Sequence, residues 1–320
     1  MSSSIRLVTS SQEQPESGGS LPRAEIIPYP GAHPAAVEKK AKFDFSPLPE
    51  RLRGIAMTIL PTILMLFALL MVWEIACSGE DASLPSPSKV WTESYEVIMH
   101  PLKGVEVDGL GFKIQDGGDV GIAGHILTSL KRVAVGFSLS ALFGIALGIL
   151  IGQSKFAYRA LDPLFQILRT VPPLAWLPIS LAIFQQAQPS AIFLIFITAI
   201  WPVILNTAAG VQNIPAAYRN VGKVLALNPF EYFIKIMLPA TVPHMFTGLR
   251  IGVGMSWLAI VASEMLLGGV GVGFFIWDQY NASRISDIIV ALVWVGLTGF
   301  VLDRAVAFLG ALVSRGTSKG

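Results

Sequence analysis

Charge is scarce in this 320-residue chain: Asp, Glu, Lys and Arg make up 14% of it, against 53% hydrophobic residues. A soluble globular domain carries about 25% charged residues, so a water-soluble fold is excluded for most of the length. Cysteine is nearly missing. The single Cys77 excludes an internal disulfide framework and any cysteine-based metal cluster. The four histidines, His33, His100, His125 and His244, are scattered without metal-ligand spacing, so no metal or other cofactor is expected. There is no phosphate loop of the form GxxxxGKS or GxxxxGKT, no HExxH and no Ser/His/Asp arrangement, so no catalytic residue is expected. A net charge of +2, with no Lys/Arg run interleaved with aromatics, excludes nucleic acid as a partner.

What is present is apolar and comes in blocks. Residues 1–54 are rich in Ser, Pro and charge, with Pro15, Pro22, Pro28, Pro30 and Pro34 among them, and read as a disordered tail. The first apolar run begins only at Ile55, too deep in the chain for a cleaved signal peptide, and its extent to Cys77 suits a bilayer-spanning helix. Pro61 lies near its start, where a missing donor costs least. A polar segment, 78–124, follows. A short amphipathic stretch, His125–Val133, then leads into a second span over 134–152. In this span Gly136, Ser140, Gly144, Gly148 and Gly152 recur every four residues, putting small side chains on one face for close helix approach.

Over 158–183 the apolar pattern is broken by Pro163, Pro172, Pro173 and Pro178, which predicts a kinked or discontinuous third span with its break buried in protein. Further spans are predicted over 190–210, 246–267 and 285–312, with a polar block at 211–243 and a Gly-rich reversal at Gly268, Gly269, Gly271 and Gly273. The expected fold is all-α and polytopic: six transmembrane helices over 55–312, flanked by tails at 1–54 and 313–320. The 78–124 loop holds only Lys89, Lys103 and Lys113 against eight acidic residues, whereas the other flanks carry the Lys/Arg excess. This places 78–124 outside and both termini and 211–243 in the cytoplasm, in a plasma (inner) membrane. Lys131 and Arg132 then fall on the outer side and are expected to snorkel to the interface.

The 211–243 block has its own grammar. Pro215 suits a helix first turn, and Tyr218, Val221, Leu225 and with them Val224 are expected on one helical face. Asn228 reads as an N-cap, Pro229 as the first helical residue and Glu231 as the third-position partner of a capping box, with Lys235, Leu238 and Pro239 closing the second helix. Gly222 and Ala226, four apart, are expected on one face of the first helix. This is a short helix-turn-helix on the membrane surface.

Here the segment resembles the EAA loop of ABC importer permeases, whose pattern is Glu-Ala-Ala, three residues, Gly, nine residues, Ile-x-Leu-Pro. Ile236, Leu238 and Pro239 match its end, the family glycine falls at Ala226, and the Glu-Ala-Ala falls at Asn220, Val221 and Gly222. The first half departs from the pattern, keeping the spacing and the small size at 222 and 226. The stretches LPSPSKVW (84–91), LDPLFQILRTVPPLAWLPISLAIF (161–184), PSAIFLIFITAIWPVILNTAAGVQNIP (189–215), FTGLRIGVGMSWLAIVASEMLLGGVGVGFFIWD (246–278) and LDRAVAF (302–308) are similar to the nitrate/sulfonate/bicarbonate class, nearest its nitrate/bicarbonate branch.

The resemblance implies a MetI-like permease fold, a second permease copy, two ATPase subunits that hydrolyse ATP, and an extracytoplasmic solute-binding protein. Tyr218, Asn220, Gly222, Leu225, Ala226, Asn228, Pro229 and Glu231 become the candidate ATPase-coupling residues. Nitrate or nitrite is the leading cargo, with bicarbonate, cyanate or an alkanesulfonate as alternatives and a membrane scaffold or enzyme as the reading from another class.

Ionisable residues inside spans default to functional candidates. Arg250 could attract an anion leaving the pore, or pair near Glu264. Glu264 would repel an anion unless paired, which favours a structural hydrogen bond. Trp176, Trp201, Asn206, Thr207, Trp257 and Ser263 complete the candidate translocation path, each having packing as its plainer role.

Overall fold

The computed structural model describes residues 50–79, 82–108, 111–114 and 120–317. Up to residue 49 the tail expected over 1–54 lies outside them, as do residues 318–320 of the C-terminal tail. The chain divides into two compact units, Met1–Pro61 and Thr62–Gly320. In the first, the described part is the opening of helix α1 (Glu50–Ala76), which starts before the apolar run, so that Pro61 falls inside the helix instead of at its start.

In the second unit the rest of α1 leaves Ile63, Leu64, Met65, Leu66 and Phe67 each more than half exposed, as suits a helix against lipid. The 78–124 segment holds two short helices, α2 (Pro87–Glu93) and α3 (Tyr95–Met99). A two-stranded antiparallel hairpin follows, β1 (Val105–Asp108) with β2 (Gly111–Ile114). Helix α4 (Ile122–Gln153) runs unbroken for 32 residues. The expected boundary at Val133 between an interfacial stretch and a span does not exist, because the polar positions Ser129 and Arg132 turn inward to protein partners. The remaining long helices are α7 (Ala187–Gln212), α10 (Leu238–Leu267) and α12 (Ile285–Thr317).

Between α4 and α7 lie α5 (Lys155–Leu168), a 3-10 turn (Pro173–Trp176) and α6 (Leu177–Phe184), bent by 93°. Pro172 and Pro173 sit at the break and Pro178 in the first turn of α6, where the missing N–H costs nothing. Pro163, expected to interrupt the run as well, lies inside α5 without ending it. The break is not buried in this chain, since Arg169, Thr170 and Pro172 are exposed. Among the described residues, five helices are long and apolar enough to cross a membrane, six if the bent pair counts as one span.

The packing decides how that pair must be counted. The small residues of the four-residue stripe in α4, Gly136 to Gly152, face α7. An added Cβ would meet Ile195 from Gly136, Val203 from Gly144, Thr207 from Gly148 and Val211 from Gly152, each at 2.6–2.8 Å. Between them, the Ser140 hydroxyl donates to the Phe196 carbonyl at 2.8 Å. Both series rise together, so α4 and α7 are parallel neighbours. Two parallel spans need a return crossing between them, and only the bent pair can supply it. In contrast, α10 runs antiparallel to α7, with Gly210 against Thr241 and His244 and Gly248 against Pro202 and Asn206. Trp257 Nε1 donates to the Val295 carbonyl at 2.9 Å and Gly310 abuts Phe246, so α12 runs antiparallel to α10. The short helix α11 (Val272–Asn281) follows the Gly-rich reversal and buries Val272, Phe275 and Ile276 against Ile122, Ile126 and Ile260.

Candidate coupling site

Residues 211–243 form a compact hairpin whose parts follow from local chemistry. Helix α8 (Ala216–Val224) starts after Pro215. It ends in a Schellman motif: Leu227 N–H donates to the Gly222 carbonyl at 3.0 Å and Ala226 N–H to the Lys223 carbonyl at 3.1 Å. That motif needs a left-handed residue one past the helix cap, and Ala226 takes it at φ 47°. Ala226 therefore lies beyond the helix, and the expected common face of Gly222 and Ala226 is replaced by two different roles. Ala226 terminates α8, while Gly222 is buried and faces Tyr232.

Helix α9 (Pro229–Tyr232) begins with the expected capping box: Glu231 N–H donates to Asn228 Oδ1 at 2.8 Å and Asn228 N–H donates to Glu231 Oε2 at 3.1 Å. The second helix does not close at Lys235–Pro239. It passes through a π-helical turn (Phe233–Met237) straight into α10, giving one run from Pro229 to Leu267. Pro239 does not end it, because it lies in the first turn of α10, where the π turn has already changed the hydrogen-bond register. Below the hairpin, Val211, Ile214 and Met237 form a small buried core with Tyr232 and Phe233 packed on it.

The tip of the hairpin is apolar and open. Tyr218, Val221, Val224 and Leu225 of the expected apolar face are all exposed, Val224 at 85%, and so is Phe230 at 71%, which the sequence reading did not single out. Val224 and Phe230 flank the turn 225–228, and the signal for Phe230 was a bulky apolar residue directly after the Asn-Pro start of α9. Asn220 is exposed on the same helix.

The path candidates do not form one lining. Thr207, Trp257, Ser263 and Glu264 are buried between helices. Glu264 accepts from Arg132 Nη1 at 2.6 Å, Ser129 Oγ at 2.8 Å and Gly273 N–H at 3.1 Å. Arg132 also donates to the Val270 carbonyl at 2.8 Å, so it is anchored inward and does not snorkel. Arg250 pairs with Asp303 of α12, Nη2 lying 2.7 Å from Oδ2, and not with the neighbourhood of Glu264. Asn206 Nδ2 donates to the Pro202 carbonyl at 2.8 Å, within its own helix. Trp176 ends the 3-10 turn at the bend, and Trp201 lies 5.7 Å from the ring of Phe165; both are partly exposed.

A parallel small-residue helix pair, a broken span and a capped surface hairpin fused to a membrane helix thus occur together in this chain. Residues 144–319 match the family model of the binding-protein-dependent transport system inner membrane component. The chain belongs to this family. It is 60% identical to the nitrate import permease protein NrtB of Synechocystis sp. over 77% of this chain and 86% of that one. It is 55% identical to the nitrate import permease protein NrtB of Leptolyngbya laminosa, over 79% of this chain and 87% of that one. Identity to the bicarbonate transport system permease protein CmpB of Synechocystis sp. is 46%, over 81% of this chain and 90% of that one. The chain is thus an ABC importer permease, a multi-pass protein of the inner membrane. The family match begins within α4 and takes in the whole coupling hairpin, leaving α1 and the 78–124 segment outside it.

Proposed function

We propose that this permease imports nitrate, working as one of two copies with two ATPase subunits that hydrolyse the ATP and an extracytoplasmic binding protein that delivers the anion. The observation that carries the cargo is the higher identity to a nitrate import permease than to a bicarbonate permease from the same organism, 60% against 46%. The exposed apolar tip, Tyr218, Val224, Leu225 and Phe230, docks in a groove of an ATPase subunit, with Asn220, Gly222, Ala226, Asn228, Pro229 and Glu231 holding its shape. Both termini and 211–243 face the cytoplasm and 78–124 faces outward, which the Lys/Arg distribution supports. Because α9 continues into α10, closure of the ATPase pair moves a membrane helix directly.

The test is uptake by the reconstituted importer of labelled nitrate against excess bicarbonate, cyanate or an alkanesulfonate. Nitrate and nitrite should compete, the others should not. Competition by bicarbonate at equal concentration sinks the cargo assignment and leaves the importer.

A further inference from the structure

A cavity of about 290 Å³ lies beside the coupling hairpin, where the end of α4, the start of α5, the end of α7 and α8 meet. Its floor is apolar, from Val211, Ile214 and Met237. Its rim carries Lys155 and Arg219 together with the amides of Gln153 and Gln212, and no acidic side chain lines it. Arg219 is half-buried and braced: Nη2 donates to the Gln212 carbonyl at 2.9 Å. The Gln212 amide in turn donates to the Gly152 carbonyl. Among the described residues no carboxylate pairs with Arg219 or Lys155. Glu231, the one acidic residue of the 211–243 block, is held by the Asn228 cap and by Lys235 at 3.2 Å.

We infer that this cavity binds a phosphate oxyanion, presented by the headgroup of an anionic phospholipid. A braced guanidinium beside an ammonium, with no counter-charge, suits phosphate oxygens, which take paired N–H donors from arginine and a point charge from lysine. Basic pockets between membrane helices at the bilayer surface are where such headgroups settle. The lipid source, over free phosphate, is favoured by the neighbouring surface. Phe156, next to Lys155, is 84% exposed, and Leu164 and Ile167 further along α5 are exposed too, an apolar ledge for the acyl chains. A bound headgroup would tie the start of the broken span to α8, so the lipid becomes part of the floor on which the hairpin rests.

The inference rests on the hairpin lying at the membrane surface, but its test reads lipid and not transport, so failure of nitrate uptake and failure of this site are separable. The permease–ATPase complex is purified from membranes containing phosphatidylglycerol and phosphatidylcholine, and retained lipid is measured by native mass spectrometry. Wild type and Arg219→Lys should retain phosphatidylglycerol. The double variant Lys155→Gln/Arg219→Gln should retain several-fold less, while Lys223→Gln, an exposed charge on the same helix outside the cavity, should match wild type. Displacement of the lipid by added inorganic phosphate assigns the phosphate group alone as what the site recognises, and no displacement assigns the whole lipid. Equal retention by wild type and the double variant, or equal loss in Lys223→Gln, overturns the site.

Discussion

Gly222 packs against Tyr232 so closely that a Cβ at position 222 would stand 2.8 Å from Tyr232 Cδ2, with Ile236 Cδ1 at 3.3 Å. This contact sets the angle between the two helices of the coupling hairpin. Gly222→Leu should force them apart at roughly 1–3 kcal/mol, as overpacking does. The expected result is a permease that inserts normally but loses co-purified ATPase subunit and substrate-stimulated ATP hydrolysis. Adding Tyr232→Ala should restore part of both. Normal coupling by Gly222→Leu alone would show that the hairpin angle does not matter to docking.

Ala226 carries a backbone conformation that costs a residue with a Cβ roughly 1–2 kcal/mol. Ala226→Gly should therefore raise the thermal stability of the hairpin and keep coupling, whereas Ala226→Val should weaken both. A melting series on the purified complex decides it, and a fall in stability with glycine would contradict the Schellman geometry.

Glu264 and Arg132 form a buried pair, with side chains 1% and 15% exposed. Removing one partner strands the other, at about 3–5 kcal/mol, while replacing both by apolar residues of similar size is far milder. Glu264→Ala should give little extractable folded protein, and Arg132→Met/Glu264→Met should recover it. If the double replacement folds but does not transport, the pair has a task beyond packing.

The parallel contact of α4 with α7 leaves no room for side chains at Gly144 or Gly148. Gly148→Val should lower the melting temperature in detergent more than Gly254→Val, because a Cβ at Gly254 meets nothing within 4 Å. Equal effects would point to glycine flexibility, not close approach, as the reason for the stripe.

Topology has its own check. A reporter fused after Gly104 should behave as extracytoplasmic and one after Ala217 as cytoplasmic. A cytoplasmic signal at 104 would overturn the proposed orientation.

The spans were legible because apolar runs of bilayer length leave little choice of element, and the caps at Asn228 and Glu231 because capping is local chemistry. What was not legible depended on partners far away in the chain. Arg132 reads as an interfacial charge until Glu264, 132 residues on, is brought beside it. Arg250 could choose among several carboxylates, and only the antiparallel seat of α12 selects Asp303. Ala226 was misplaced for a different reason: four-residue spacing implies a shared face only while the helix continues, and α8 stops two residues earlier.

The π-helical turn at Phe233–Met237 has a consequence for rotation. Each residue of an α-helix advances the azimuth by about 100°, and a π turn holds one residue more than an α turn. The turn therefore fixes the angular phase between the hairpin tip and everything above it. With the extra residue in place, Gly248 and Gly252 face α7 and Arg250 faces α12, while Phe230 is left exposed. Deleting one residue from 233–237 would restore an ordinary helix and turn the tip by about 100° against its own transmembrane shaft, a misgearing that no change at the tip itself could correct.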